Sequence, residues 1–188
     1  MSESSRPIGV AVLGMGNVGT EVVRILIEKA DDLKARVGAP LELRGIAVRD
    51  LDKVREGIDP SLLTDDPLAL VQRDDVDLVV ELIGGVKLAR KLIRAALDSG
   101  KSVVTANKAL MAEHAGELSK AAEDQRVDLY FEAAVAGAIP VIRPLTQSLA
   151  GDSVNRVSGI VNGTTNYILS EMAESGAGYG KVLAEAGR

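Results

Sequence analysis

Residues 8–13, Ile-Gly-Val-Ala-Val-Leu, run without a charge straight into Gly14-Met15-Gly16-Asn17-Val18-Gly19. An apolar run of that length, bounded by Pro7 and Gly14, reads as a strand buried on both faces. The segment after the glycines places Val18, Val22, Ile25 and Leu26 on one helical face, with Glu21, Arg24 and Glu28 turned elsewhere. The glycines match G-x-G-x-x-G between a strand and a helix. In that setting Gly14 permits a tight turn, Gly16 lets a pyrophosphate approach the backbone, and Gly19 lets the helix pack closely. The helix start adds free N–H groups and the positive end of the helix dipole. The pattern predicts a dinucleotide site contacted by Gly14, Gly16, Asn17, Val18 and Gly19. A glycine turn used only for packing is the alternative.

The rest of the chain repeats the strand–helix alternation. Gly38 and Pro40 end the first helical stretch, and further strands are expected at 41–48, 78–83, 102–105 and 127–132. Helices are expected around 88–96, closed by Gly100, and at 112–124. Near-continuous apolar strands alternating with helices predict an α/β fold, a doubly wound parallel (Rossmann) sheet over residues 1–132. From residue 133 the pattern changes. Residues 138–149 read as a helix with Pro140 near its start and a kink at Pro144, 154–161 as strand-like, 162–165 as a turn, and 167–172 as a helix. Residues 133–188 are therefore expected to begin a second, α+β domain.

Composition narrows the function. The 188 residues carry 22 basic and 27 acidic side chains, a net charge of −5, so bulk attraction for nucleic acid is excluded. Aromatic residues make up 2%, too few for base-stacking platforms. There is no cysteine, which excludes disulfides and thiolate metal sites and fits a reducing compartment. No apolar run approaches the roughly 20 residues of a membrane-spanning helix, and the polar start is no signal peptide. A soluble cytoplasmic protein without membrane partners is expected, its core built from aliphatic residues (46% of the chain is hydrophobic).

The end of the second strand bears on cofactor choice. Arg49 just past it favours NADP, because a basic group accommodates a 2′-phosphate. Asp50 keeps NAD open, and a solvated loop of mixed charge is the alternative for both.

Four further motifs stand in order: Asp77-Leu-Val-Val-Glu-Leu-Ile-Gly-Gly85, Val103-Val-Thr-Ala-Asn-Lys-Ala109, Tyr130-Phe-Glu-Ala-Ala-Val-Ala-Gly137 and Gly159-Ile-Val-Asn-Gly-Thr-Thr-Asn-Tyr167. Together they resemble homoserine dehydrogenase, in register from about Ile8 to the last residue. One departure is Val86-Lys87-Leu88, where many members of that family continue with Glu-Pro. The resemblance implies NAD(P)-dependent interconversion of L-homoserine and L-aspartate 4-semialdehyde, a step toward threonine, methionine and isoleucine. Lys108 is then a catalytic or substrate-orienting residue at the cofactor–substrate junction; a surface lysine at a helix start is the alternative. Thr105, Ala106 and Asn107 line the nicotinamide ribose side with Lys108, and Ala47, Arg49, Ile83 and Gly84 are further cofactor contacts.

The same resemblance implies a sodium-like ion bound by Glu132 and the carbonyls of Val135, Gly137 and Ile139, an all-oxygen set suited to a hard cation. Glu132 paired with a helix N-terminus is the alternative. Gly163 and Thr164 are implied as substrate-pocket residues, with a Thr-capped turn as the alternative. The second domain becomes a substrate and dimerisation domain, and the intact protein a homo-oligomer acting on a small molecule. Members of the family continue beyond the point corresponding to Arg188, with acidic substrate ligands and a second lysine, the usual candidate for the general acid/base. The chain is therefore expected to be truncated, and a catalytically impaired dinucleotide-binding module remains the alternative function. His114 is expected to be a surface residue, Glu81 in the third strand reads as a hydrogen-bonded structural carboxylate with no assigned functional role, and Lys87, Arg90, Lys91 and Arg94 form a solvated basic face.

Overall fold

A computed structural model describes residues 6–137, 139–160 and 162–187. The chain divides into two compact units, Met1–Ala134 and Val135–Arg188. In the first unit the elements run β1 (Ile8–Leu13), α1 (Asn17–Glu28), α2 (Ala30–Val37), β2 (Leu41–Ala47), β3 (Leu63–Thr64), α3 (Pro67–Val71), β4 (Leu78–Glu81), α4 (Lys87–Asp98), β5 (Ser102–Thr105), α5 (Lys108–Gln125) and β6 (Leu129–Tyr130).

All six strands are parallel, in the order β3-β2-β1-β4-β5-β6. The chain winds outward from β1 in one direction and then restarts beside β1 with β4, as expected of a Rossmann sheet. Alternation along β1 divides the core. Val10 and Val12 join Val23 of α1 and Ile46 on one face. Ala11 and Leu13 join Leu92, Ile93, Leu97, Leu110 and Leu118 of α4 and α5 on the other. With helices on both faces, neither face of the strand tolerates a charge, which explains the uninterrupted apolar run.

Register decides what shares the sheet edge. Leu13 pairs with Ala47 on one side and Glu81 on the other, and Glu81 pairs with Thr105. The last residues of β2, β1, β4 and β5 thus form one row, and the loops beyond them open on the same side.

Several expected boundaries move. Helix α1 buries Gly19 and Val23, while Val18 and Ile25 stand 59% and 41% exposed, so the apolar face is rotated from the one read in sequence. The stretch to Gly38 is two helices, broken at Lys29. The strand expected at 127–132 shrinks to Leu129–Tyr130, because the chain turns at once: the Ala134 N–H donates to the Phe131 carbonyl at 2.9 Å. Glu132 therefore opens the 3-10 turn Glu132–Ala134 instead of ending a strand. Edge strand β3 and short helix α3 had not been expected, both being too brief to leave a periodic signal.

In the second unit the described residues contain helices α6 (Gly163–Ser175) and α7 (Tyr179–Ala186). No strand forms over 154–160; with no partner ladder there, extended backbone gains nothing, and Val154, Val157 and Ile160 stand exposed. The helix expected over 138–149 is confined to 142–148, with π geometry at Pro144–Ser148, where the Leu149 N–H reaches the Pro144 carbonyl at 2.9 Å. Pro144 has no N–H to offer an α-helical ladder. Ala138 and Val161 lie outside the described residues. Among the described residues no helix is long and apolar enough to cross a membrane.

Candidate functional site

The crevice lies where the winding reverses, beyond the carboxyl ends of β1 and β4, the place at which open α/β sheets bind ligands. A cavity of about 180 Å³ opens there, lined by Val18, Glu81, Leu82, Gly84, Ala106 and Asn107.

The glycine turn builds one wall. The Gly14 N–H donates to the Ala47 carbonyl at 2.9 Å, extending the sheet by one bond. Its φ of +98° belongs to the region glycine favours, and a Cβ there would meet the Leu82 carbonyl oxygen at 2.9 Å. Gly16 precedes α1, and no side chain caps that helix, so its first-turn N–H groups face the crevice side without an internal partner. A Cβ on Gly16 would have no neighbour within 4 Å, so open space adjoins the backbone. Gly19 is the opposite case, packed so closely that its Cβ would lie 2.1 Å from the Gly14 carbonyl oxygen. An uncapped helix start beside open glycine backbone fits an anionic pyrophosphate. Val18, displaced from the core face, is exposed into the cavity instead.

The loops after β4 and β5 build the other wall. Glu81 is fully buried. Its Oε1 accepts from the N–H groups of Ile83 (2.9 Å) and Gly84 (3.3 Å), and its Oε2 accepts from the Thr105 hydroxyl at 2.6 Å. Thr105 is equally buried, so its hydroxyl lies beneath the site, and the same oxygen accepts from the Asn107 N–H at 3.1 Å. Asn107 caps α5 by accepting from the Leu110 N–H at 3.1 Å, and its Nδ2 donates to the Gly85 carbonyl at 2.6 Å. Lys108, the first residue of α5, is exposed directly after this cap. Replacing Asn107 by alanine removes a cap and a buried bond together. The expected loss of stability is about 2 kcal/mol, measured by urea denaturation.

At the end of β2 the loop folds on itself. The Asp50 Oδ1 accepts from the N–H groups of Asp52 (3.0 Å) and Lys53 (3.2 Å), and Arg55 donates to the carbonyls of Lys53 and Asp50. Among the described residues, no ion pair or hydrogen bond occupies the exposed Arg49 side chain.

This architecture has known counterparts. The family model described as "Homoserine dehydrogenase, NAD binding domain" matches residues 14–132, from Gly14 of the glycine turn to Glu132. The chain belongs to the homoserine dehydrogenase family. A second model, "Homoserine dehydrogenase", matches residues 140–188. The homoserine dehydrogenase of Mycobacterium tuberculosis is 66% identical over 186 residues, covering 99% of this chain and 42% of that protein. The crystal structure of a homoserine dehydrogenase from Thiobacillus denitrificans superposes with a TM-score of 0.82 at 43% identity, covering 96% of this chain and 42% of that one. A hyperthermophilic archaeal homoserine dehydrogenase in complex with NADPH superposes with a TM-score of 0.75 at 27% identity, over 96% of this chain and 60% of that chain. The chain thus spans about 42% of the length of the curated relatives it matches.

Of the residues singled out in this homoserine dehydrogenase family sequence, Val18, Gly84, Ala106 and Asn107 meet at the cavity. Gly14, Gly16, Asn17 and Gly19 lie in the turn and helix start around Val18 and do not themselves line the cavity, and Ala47, Ile83 and Thr105 stand at or just beyond the strand ends. Gly163 and Thr164 are the exposed first residues of α6, where Asn162 supplies the cap, its Oδ1 accepting from the Thr165 N–H at 2.8 Å. In the second unit Val135 is half-buried, while Gly137 and Ile139 are exposed. His114 is partly covered by the α5 carboxylate Glu117, which also pairs with Arg90. That guanidinium holds the Glu117 carboxyl below the usual carboxylate range. Sequence reasoning missed the place of Glu81 and Leu82 in the site. A charge inside the apolar run at 78–83 was the available signal for Glu81; Leu82 carried none.

Proposed function

We propose that the chain takes part in the homoserine dehydrogenase reaction, binding a nicotinamide dinucleotide in the crevice, with NADP preferred. The observation that carries this reading is the uncapped start of α1 beside open Gly16, facing a cavity bordered by the start of α5, in a chain of this family. When bound there, a nicotinamide would supply the hydride acceptor or donor for C4 of homoserine or of aspartate 4-semialdehyde. Lys108, on a flexible stem at the same edge, hydrogen-bonds the C4 oxygen, orienting the substrate or sharing in the transfer of the proton that leaves or joins it. Backbone N–H groups of α1 would hold the pyrophosphate, and Ala106, Asn107, Ile83 and Gly84 would flank the nicotinamide end. Gly163 and Thr164 contribute to the amino-acid pocket. Glu132 would offer a carboxylate, and Val135, Gly137 and Ile139 carbonyls, of the oxygen type a sodium-like ion takes. The protein works in the cytoplasm as a homo-oligomer.

Asp50 is engaged by its own loop while Arg49 is not, which supports a 2′-phosphate over a 2′-hydroxyl as the group read at this edge. Arg49→Ala is expected to weaken NADPH binding by about tenfold to a hundredfold, as loss of a charge-assisted bond does. NADH affinity should change little. Titration followed by nicotinamide fluorescence decides the matter; equal effects on both cofactors overturn the NADP preference. A purely cofactor-binding role for the chain is supported by the compactness of Met1–Ala134 as a unit. Homoserine-dependent reduction of NADP by the 188-residue chain itself separates the two readings.

A further inference from the structure

Glu81 is a buried carboxylate for which the reaction as described has no use. Apolar side chains fill such strand positions without the desolvation cost of a charge, so stability alone does not call for a glutamate there. What Glu81 does is close a ring. Its Oε1 holds the Ile83 and Gly84 N–H groups, and its Oε2 holds the Thr105 hydroxyl. The Thr105 oxygen accepts from the Asn107 N–H, and the Asn107 amide returns to the Gly85 carbonyl. Every one of these links lies between the last residues of β4 and β5 and the loops that leave them. The ring leads directly to Lys108, the first residue of α5, since Asn107 also caps that helix.

We propose that Glu81 is a positioning residue. It sets the β4 loop, on which Gly84 approaches the nicotinamide end, against the start of α5, which carries Lys108. This rests on the homoserine dehydrogenase reading for its effect on turnover. A linked polar ring whose members are all satisfied is stiff, and hydride transfer is steeply sensitive to misplacement of the reacting groups.

Thr105 offers the cleanest test, because its fully buried side chain touches the ring and not the crevice surface. Thr105→Val keeps the shape and cuts both links, whereas Thr105→Ser keeps the hydroxyl. In the full-length protein Thr105→Val is expected to lower kcat for homoserine oxidation by about tenfold to a hundredfold, with KM for cofactor and substrate within about threefold. Thr105→Ser should restore kcat to within about threefold of the parent, and Glu81→Gln should follow the valine variant. Amide hydrogen exchange gives a readout independent of turnover: Gly84 and Leu110 should exchange about tenfold faster in Thr105→Val and as in the parent in Thr105→Ser. Unchanged kcat in the valine variant, equal losses in valine and serine, or unchanged exchange at Gly84 and Leu110 would each overturn the positioning role. A parent that binds cofactor but never oxidises homoserine overturns the reaction reading instead, and the exchange measurement still decides the ring.

Discussion

Gly19→Ala is expected to destabilise the first unit by about 3 kcal/mol, the upper end of overpacking costs, and to abolish tight cofactor binding. The added Cβ would sit 2.1 Å from the Gly14 carbonyl oxygen and 2.9 Å from its carbon. Both are backbone atoms, so no rotamer change relieves the clash. Either α1 moves away from the β1 turn or the turn opens, and each displaces the helix start from the pyrophosphate. The effect runs against propensity, since alanine inside a helix is favoured over glycine by about 1 kcal/mol. Gly16→Ala is the control. Its Cβ meets nothing within 4 Å, so urea denaturation should show stability within about 0.5 kcal/mol of the parent. NADPH titration should nevertheless weaken, because the methyl occupies the space offered to phosphate. A Gly19→Ala protein that melts and binds like the parent would refute the close packing of the turn.

The second large effect is expected at Lys108. Lys108→Ala should reduce kcat for homoserine oxidation by about a hundredfold to ten-thousandfold, the range for loss of a group that handles the reacting proton. Lys108 is exposed and follows the Asn107 cap, so the substitution leaves the cap, the core and the helix intact. Thermal stability should therefore stay close to the parent. That split separates Lys108 from Gly19, where stability and binding fall together. Turnover within about threefold of the parent would remove Lys108 from the mechanism.

The glycine turn was legible because three kinds of local evidence coincide there: an uncharged strand, glycines at fixed spacing, and helical periodicity. Even so, the periodicity selected only part of the face: Val22 and Leu26 do pack against the core. Val18 and Ile25 repeat with helical spacing, but the helix presents Gly19 and Val23 to the sheet, and Val18 is left to line the cavity. Arg49 could be placed at the end of β2 from sequence. That Asp50 is engaged by the N–H groups of Asp52 and Lys53 could not, because an aspartate in a loop has many partners within reach. The strand expected at 154–161 failed for a different reason: apolar composition marks burial or pairing potential, while a strand exists only where a partner ladder does.

Glu81 marks the limit most sharply. By itself the sequence determined the α/β class, the dinucleotide turn, the order of the motifs and the lysine at the start of α5. Each of these is written in spacings of a few residues, the range over which backbone geometry repeats. Only the tertiary structure decided that Ala47, Leu13, Glu81 and Thr105 end their strands in one row, and that a carboxylate in β4 holds a threonine 24 residues away. Strand register is set by core packing on both faces of the sheet and by the crossover helices. No local stretch of chain contains that information, so the 188 residues held the parts of the site in order without stating which would touch.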